Sequence, residues 1–371
     1  MIYFDHAATS LPKPSYVVDA VVAALSNLGN AARGAHQPAA DATRTIFAAR
    51  SELAAFFGAE SADAVCFCQN ATMALNTVIT GLCGHIVTTA AEHNSVLRPV
   101  HRHGNYTLVP VDALGRLNTQ AIAAAIRPDT VAVVMTHGSN LTGNLFDLAT
   151  VGQLCRERGI HFIVDAAQTA GYFPISMTEM HISALCFSGH KFLQGPQGIG
   201  SLCLSRNFVP LPLLVGGSSS QSNSLTHPDQ LPEALEAGTQ NIHGIAGLLA
   251  ALPCVKRDME QNRLTTDALA RSFAKGVKSL NSFTLYGDLD AVQRLPIVTL
   301  NHHHMDSADL AFALSDRFDI AVRAGLHCAP LMHRALGTEQ CGAVRFSFSH
   351  QNTMDEVEHA ISALQEVTQA C

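Results

Sequence analysis

A lysine with unusual neighbours follows an apolar run in the middle of the chain. The run ISALCF ends at the tetrapeptide SGHK, whose last residue is Lys191. A lysine at the end of a buried strand, beside a hydroxyl and an imidazole, loses enough hydration to act as an amine nucleophile. Taken by itself, such a lysine is more often a solvated surface residue. The strand before it favours the chemical interpretation.

That preceding run, HFIVDAAQ, places a carboxylate and an amide at the end of another predicted strand. Asp165 closes the run, and Gln168 lies one short turn later. A carboxylate in this position can keep a pyridine nitrogen protonated, which makes an aromatic cofactor an electron sink. An Asp after a buried strand is about as often the N-cap of the next helix, so both interpretations stay open.

Two further segments follow strands in the first third of the chain. In CQNATMALN, Asn70, Ala71 and Thr72 open a helix, and the backbone N–H groups and hydroxyl of such an N-terminus suit a phosphate. Simple capping by Asn70 or Thr72 explains the same pattern equally well. In AAEHNS, His93 comes just past a strand, where an imidazole can lie over a flat ring or move protons.

The elements that must position these residues form an alternating α/β pattern. Residues 14–28 and 43–57 predict helices, and short apolar runs then alternate with helical stretches. Unbroken runs such as HIVTT, HFIVD and ALCFS suit strands buried on both faces, so we expect a mostly parallel sheet covered by helices. Ligands of such a sheet bind beyond the carboxyl ends of its strands.

The length of 371 residues suits one large domain and one smaller domain. Beyond residue 250, a long helical region leads into runs such as LPIVTLN and AVRFSFS, which predict a smaller α+β unit. We therefore predict a large cofactor-binding domain over residues 14–250 and a small domain made of residues 1–13 and 251–371.

Composition narrows the class of protein and its partners. The net charge of −7 is spread along the chain, so nucleic acid and anionic membranes are poor partners. No apolar run approaches the roughly 20 residues that cross a bilayer, and the first residues lack the features of a signal peptide. Ten cysteines without export signals fit reduced thiols and a cytoplasmic location. The histidine clusters at 101–103 and 302–304 lack further ligands at metal-binding spacing, so we expect no metal site.

Several segments occur in a recognisable order: DHAATS, EHNS, SNLTGN, DAAQ, SGHK with GPQGIG, AGTQN and RAGLHCAP. In this order they resemble enzymes of the class V aminotransferase fold, and most closely the cysteine desulfurase and selenocysteine lyase branch. The resemblance runs from Tyr3 to the final helix. It implies fold type I of the transferases that depend on pyridoxal 5′-phosphate (PLP), with PLP as cofactor and a homodimer as the assembly.

The resemblance also implies roles for the residues in the matching motifs. Lys191 would act in catalysis and hold the cofactor as a Schiff base, with His93 stacked on the cofactor ring. Asp165 would pair with the pyridinium nitrogen, and Gln168 would approach the ring hydroxyl. Thr239, in AGTQN, would reach the phosphate bound by the neighbouring subunit. The other phosphate contacts would come from Ala71 through its backbone, Thr72, Ser188 and His190.

On the substrate side, the matching residues bind an amino acid and attack its sulfur. Arg345, in VRFSFS, would grip the substrate carboxylate through two hydrogen bonds. Cys328, in RAGLHCAP, would attack the sulfur as a thiolate, with Arg323 and His327 lowering its pKa. The short connection around Cys328 resembles the branch that has a constrained cysteine loop. The predicted substrate site is completed by Asn140 in SNLTG, His36 in NAARGAH and Arg323 itself.

The function implied is a cysteine desulfurase that converts L-cysteine into L-alanine and leaves a persulfide on Cys328 for a sulfur-acceptor protein. Selenocysteine lyase, a class V aminotransferase in which Cys328 is incidental, and a non-enzymatic partner in sulfur transfer are the alternatives. Four departures from the family pattern bear on the choice of substrate, namely His6, Ala32, Met73 and Leu326.

Overall fold

The computed structural model describes residues 1–31, 34–218 and 223–369. Within these ranges the strands are β1 (Ile2–Tyr3), β2 (Val65–Cys68), β3 (His85–Thr89), β4 (Tyr106–Val109), β5 (Thr130–Thr136), β6 (His161–Asp165), β7 (Ala184–Ser188), β8 (Gly200–Leu204), β9 (Phe283–Tyr286), β10 (Ile297–His302), β11 (Ile320–Ala321), β12 (Arg323–Gly325) and β13 (Ala343–Ser347). The α-helices are α1 (Ser15–Asn27), α2 (Gln37–Phe57), α3 (Ala71–Thr80), α4 (Asn94–His103), α5 (Thr119–Ala125), α6 (Leu148–Arg158), α7 (Ile242–Lys278), α8 (Ser307–Phe318), α9 (Pro330–Ala335) and α10 (Met354–Gln369).

The larger sheet has seven strands in the order β2-β8-β7-β6-β5-β3-β4. Strand β8 runs antiparallel to both of its neighbours, and the pairs from β7 through β4 are parallel. The apolar runs HIVTT, HFIVD and ALCFS form β3, β6 and β7. The predicted mostly parallel sheet is therefore confirmed.

Helices cover both faces of this sheet, which is why its strands are apolar throughout. On one face, Phe57 of α2 and Leu248 of α7 share a core with Phe162 of β6. On the other face, Leu75 of α3 packs with Ile163, the next residue of β6. Because side chains alternate between the faces of a strand, consecutive residues of β6 enter different cores.

A second sheet has four antiparallel strands in the order β12-β13-β10-β9. It shares a core with α8, α10 and the second half of α7, where Phe273, Phe346 and Phe348 are fully buried. Strand β1 pairs with β11 beside this sheet. Helix α7 passes through residue 250 without interruption, and the predicted division of the chain at that residue stays a prediction.

The start of α2 differs from the sequence-based prediction. We expected this helix to begin at residue 43, and it begins at Gln37. The imidazole Nδ1 of His36 accepts a hydrogen bond from the backbone N–H of Ala39 at 3.3 Å, and Pro38 occupies the first turn. A side-chain cap and an early proline both favour helix initiation, so the helix starts six residues sooner.

Three further observations concern the described ranges as a whole. No helix in them combines the length and the apolar character needed to cross a bilayer. No group of three or more His, Cys, Asp or Glu side chains in them is arranged to hold a metal ion. The nine cysteines that they contain are all free thiols.

Candidate active site

A cavity of about 480 Å³ opens where the carboxyl ends of neighbouring parallel strands meet. Thr136, Asp165 and Ser188 are the last residues of β5, β6 and β7, and all three line it. We call it the Lys191 cavity. It brings together twelve of the predicted site residues: Ala71, Thr72, His93, Asn140, Asp165, Gln168, Ser188, His190, Lys191, Arg323, Cys328 and Arg345.

Two of the predicted site residues lie elsewhere. His36 is exposed and caps α2. Thr239 lines a separate cavity of about 710 Å³, together with Asn30, Arg50 and His243. We call this one the Thr239 cavity. The roles predicted for both residues stay predictions.

Lys191 is half-buried in the wall of the Lys191 cavity. Withdrawal from water lowers the pKa of its amine to about 8. The carboxylate of Asp165 acts in the opposite direction, whereas Arg345 and Arg323 lower the pKa further. An amine with this pKa is neutral in roughly one tenth of molecules near pH 7, far more often than an ordinary lysine, and only the neutral form acts as a nucleophile or base.

Asp165 and Gln168 are buried and line the same cavity. The Oδ1 atom of Asp165 accepts a hydrogen bond from the backbone N–H of Ala167 at 2.9 Å, so the carboxylate also fastens the turn that follows β6. Burial raises the pKa of Asp165, and the charge of Lys191 opposes that shift. Gln168 donates through Nε2 to the carbonyl of Ala7 at 3.0 Å, while its Oε1 atom is buried and finds no protein partner in the described ranges.

The N-terminus of α3 also lines the cavity. Its N-cap is Asn70, whose side chain accepts a hydrogen bond from the N–H of Met73 at 3.0 Å, so the capping interpretation is confirmed for that residue. The N–H of Ala71 donates to Oγ of Ser188 at 2.9 Å, and the hydroxyls of Thr72 and Ser95 lie 2.7 Å apart. These hydroxyls lie at the positive end of the helix dipole, where an anion binds favourably.

His93 caps α4 and lines the Lys191 cavity. Its Nδ1 accepts a hydrogen bond from the backbone N–H of Ser95 at 3.0 Å and lies 2.8 Å from the Ser95 hydroxyl. The ring proton therefore belongs on Nε2. Burial lowers the pKa of His93 to about 4, and the charges of Lys191 and Arg345 act in the same direction. The imidazole is thus neutral at physiological pH.

Arg345 is buried at the other end of the cavity. Its Nη1 donates to the carbonyl of Asn140 and its Nη2 to Oδ1 of Asp5, both at 2.9 Å. Its Nε has no hydrogen-bond partner among the residues that the structure describes. Arg323 forms an ion pair with the same carboxylate, at 2.9 Å between Nη2 and Oδ2 of Asp5. The predicted substrate arginine is therefore held in place and still has an N–H to offer.

Cys328 is exposed at the mouth, in the four-residue connection between β12 and α9. His327 and Cys328 both adopt positive φ angles, 49° and 55°, which are uncommon for residues other than glycine. Both carbonyls are fastened: Asn140 Nδ2 donates to His327 at 2.7 Å, and the N–H of Asn94 donates to Cys328 at 2.8 Å. The backbone on either side of the thiol is thus held in place by hydrogen bonds from Asn140 and Asn94.

The charge predicted beside Cys328 is only partly present. Burial lowers the pKa of His327 to about 3, so its ring is neutral and does not supply the positive charge that the sequence suggested. The ring instead stacks on the buried His333, with centroids 5.8 Å apart and planes inclined by 13°. Arg323 does carry a charge, but Asp5 pairs with it.

The departures from the family pattern lie at different depths. His6 is buried with its edge against Tyr3, and burial lowers its pKa to about 4. Met73 is half-buried in the first turn of α3, and Leu326 is exposed beside the cysteine turn. Ala32 lies outside the described residues.

Comparison with known proteins identifies the family. The model of the family described as "Aminotransferase class-V" matches residues 2–359 of this chain. A "Probable cysteine desulfurase" of Pyrococcus abyssi is 32% identical over 392 residues, covering 100% of this chain and 95% of the relative. "Cysteine desulfurase IscS" of Vibrio atlanticus is 31% identical over 388 residues, covering 98% of this chain and 91% of the relative.

Solved structures agree with this assignment. The apo structure of a cysteine desulfurase from Thermococcus onnurineus superposes with a TM-score of 0.93 at 32% identity, covering 100% of this chain and 95% of that one. The Escherichia coli cysteine desulfurase CsdA gives a TM-score of 0.86 at 27% identity, with 99% and 94% covered. With the Lys191 cavity at its strand ends and this match over nearly all of its length, the chain belongs to the class-V aminotransferase family.

Proposed function

We propose that this chain is a PLP-dependent cysteine desulfurase, which converts L-cysteine into L-alanine and leaves the sulfur as a persulfide on Cys328. One observation carries the proposal: four groups that this reaction needs line a single cavity. They are a lysine whose pKa is lowered (Lys191), a buried carboxylate (Asp165), a buried arginine (Arg345) and an exposed cysteine (Cys328). The relatives and the solved structures named above support it, because they are themselves named cysteine desulfurases.

The residues of the Lys191 cavity fit PLP. Asp165 suits the pyridine nitrogen, and the unpartnered Oε1 of Gln168 marks a place for a polar ring substituent. The Nδ1 atom of His190 is likewise buried without a partner in the part of the chain described. When bound, PLP would supply an electron sink for the carbons of the substrate. Its phosphate would be held by Ala71 N–H, Thr72, Ser188 and His190.

The arginine end of the cavity would orient the amino acid. Arg345 offers its unpartnered Nε–H and a further N–H to the substrate carboxylate, while Asn140 and Asp5 keep the guanidinium from turning. A carboxylate held there directs the amino group and the β-carbon into the cavity, toward Lys191 and Cys328. Positioning of this kind raises the rate because the entropic cost of bringing the reacting atoms together is met when the substrate binds.

Protons and sulfur are then moved by three side chains. Lys191, with a pKa of about 8, carries the α-proton at Nζ. Cys328 attacks as a thiolate and forms a new S–S bond while the substrate carbon–sulfur bond breaks. The electron pair of the broken bond stays with the carbon, which takes up a proton and leaves as alanine. His93, neutral with its proton on Nε2, is placed to pass a proton during this exchange.

The persulfide would be handed to an acceptor thiol, which a sulfur-acceptor protein can present. Cys328 is exposed at the cavity mouth, as such a transfer requires. Nine free cysteines in the described ranges support a reducing compartment, and we propose a cytoplasmic location.

We also propose that the active form is a homodimer with shared sites. Thr239 lines its own cavity rather than the Lys191 cavity, so the phosphate contact implied by the family would have to come from a partner subunit. The segment of residues 209–215 exposes several apolar side chains. It is tied to the Thr239 loop just beyond its end, because Gly217 accepts a hydrogen bond from the N–H of Gly238. A monomer in analytical ultracentrifugation at micromolar concentration would contradict this.

The function is tested by adding L-cysteine and a reductant to purified, PLP-loaded protein and quantifying alanine and sulfide. We expect equimolar products, and loss of both in Cys328→Ala. The matched control is Cys341→Ala, because Cys341 is also exposed and does not line the Lys191 cavity. Full activity of Cys328→Ala would remove the thiol step. Turnover that requires a keto acid would favour an aminotransferase, and turnover of selenocysteine alone would favour a lyase.

A further inference from the structure

The carbonyl oxygen of His190 accepts hydrogen bonds from an unusual number of donors. The backbone N–H and the hydroxyl of Ser10 both donate to it at 3.1 Å. The hydroxyl of Thr9 donates at 3.2 Å, and the ammonium group of Lys13 donates at 2.7 Å. A carbonyl oxygen has two lone pairs, so these four donors, all from one short segment near the start of the chain, compete for it.

The shortest of these bonds comes from the charged donor. Lys13 is half-buried, and its Nζ also donates to the hydroxyl of Ser10 at 2.7 Å. Hydrogen bonds from a charged donor are shorter and stronger than those between neutral groups. Lys13 therefore fastens the peptide group that joins His190 to Lys191, and it does so from outside the Lys191 cavity.

The same segment reaches the cavity at two other places. Ala7 accepts the hydrogen bond of Gln168, and both line the cavity wall. Asp5 pairs with Arg345 and Arg323 at the far end. Residues 5–13 thus contact the arginine end and the lysine end of one site, so a change at Lys13 acts on a peptide group that the rest of the segment also holds.

We propose that Lys13 is a positioning residue for Lys191. By fixing the peptide group in front of Lys191, it sets where the amine stands relative to Asp165 and Gln168. This inference rests on the proposed function only in that Lys191 is taken as the lysine that meets the cofactor. A purely structural role for Lys13 would stabilise the fold without affecting how the cofactor is held.

The test compares Lys13→Met with Lys13→Arg, using Lys275→Met as a control at an exposed position of α7. For each protein the apo form is mixed with PLP, and the rate of capture and the visible circular dichroism of the bound cofactor are recorded. Steady-state kinetics with L-cysteine and a thermal melt follow. The first two readouts need no turnover, so they decide the inference even if the proposed desulfurase activity is absent.

We expect Lys13→Met to slow cofactor capture, to change the visible circular dichroism and to lower kcat about tenfold with KM within about twofold of the parent. Lys13→Arg should restore most of each value, because it returns a charged donor. Parental capture and dichroism in Lys13→Met would overturn the inference, as would equal losses in both variants that only follow a lower Tm. If Lys13→Met does not fold, Ser10→Ala removes one neutral donor from the same oxygen and must show the same changes in smaller measure.

Discussion

Asp5 and Arg345 are 340 residues apart in the sequence, and their side chains are joined by a hydrogen bond of 2.9 Å between Oδ1 and Nη2. The carboxylate balances a guanidinium that is almost fully buried and that burial alone would make less basic. It also pairs with Arg323. A substrate carboxylate would therefore meet an arginine whose orientation is already fixed and whose positive charge is partly balanced by Asp5.

Asp5→Asn should lower the free energy of unfolding by about 3 kcal/mol, because it leaves the buried charge of Arg345 without its counter-ion. Urea denaturation followed by far-UV circular dichroism measures this. Asp319→Asn is the control, since Asp319 pairs with the N-terminus at an exposed position and should cost less than about 1 kcal/mol. Equal, small losses in the two variants would show that Arg345 does not depend on Asp5.

Arg345→Lys should raise KM for L-cysteine by about 30-fold or more and change kcat less, because an ammonium group cannot offer the paired N–H donors of a guanidinium. Initial rates of alanine formation over a range of cysteine concentrations provide both constants. Arg334→Lys, at an exposed position of α9, serves as the control. An unchanged KM in Arg345→Lys would place the substrate carboxylate elsewhere.

Glu236→Ala should destabilise the protein by about 3–5 kcal/mol, because it leaves a buried arginine unpaired. Glu236 Oε2 lies 2.6 Å from Nη2 of Arg50, and its Oε1 accepts the N–H of Phe67 at 2.6 Å. These bonds anchor the loop that carries Thr239, so we also expect weaker retention of PLP during gel filtration. Glu60→Ala, which breaks the exposed pair with Arg206, should cost at most about 1 kcal/mol. Similar costs in both variants would contradict the prediction.

His137→Gln tests a pH dependence whose sign follows from burial. Burial lowers the pKa of His137 from 6.5 to about 4, so between these values the unfolded chain binds a proton that the folded chain does not. Acidification therefore destabilises the parent through this residue. The stability advantage of the parent over the variant should shrink by about 2 kcal/mol between pH 7 and pH 5.

Chemical denaturation of both proteins at each pH provides that difference. Taking the difference also cancels contributions of opposite sign, such as that of Glu92, whose pKa burial raises to about 8. Between pH 7 and pH 9 the difference should stay constant, which is the internal control. A difference that also stays constant down to pH 5 would mean that His137 becomes protonated in the folded protein as readily as in the unfolded chain.

The grouping of the residues at strand ends was predictable because the geometry of a parallel sheet determines it. Asp165 and Ser188 close apolar runs, and neighbouring parallel strands end at the same edge, so their side chains converge without further information. Lys191 follows from the same argument. A mostly parallel sheet with covering helices was predictable for the same reason, since unbroken apolar runs need burial on both faces.

Most of what the sequence did not reveal depends on contacts between distant segments. Asp5 gains its role only because the start of the chain runs beside β13, where Asp5 and Ser347 form a bridge. Ser95 holds His93 through a local bond that the EHNS segment contains, and a capping pattern after His93 would have indicated it. His327 was expected to lower the pKa of Cys328 because the two are adjacent in sequence, but neighbours along a turn can point in opposite directions. Its ring turns inward onto His333, whereas Leu326 stays exposed.

Helix α7 imposes a mechanical constraint on the cleft. Its 37 residues extend over about 55 Å, with Leu248 in the core of the seven-stranded sheet and Phe273 in the core of the four-stranded one. Any rotation of Arg345 and Cys328 relative to Lys191 must bend this rod or break its packing with one core. Pro253 lies within it and lacks the N–H that would close a turn, so bending there breaks the fewest hydrogen bonds. We therefore expect any such bending to be centred on the helical turn that contains Pro253, which lies outside the cleft.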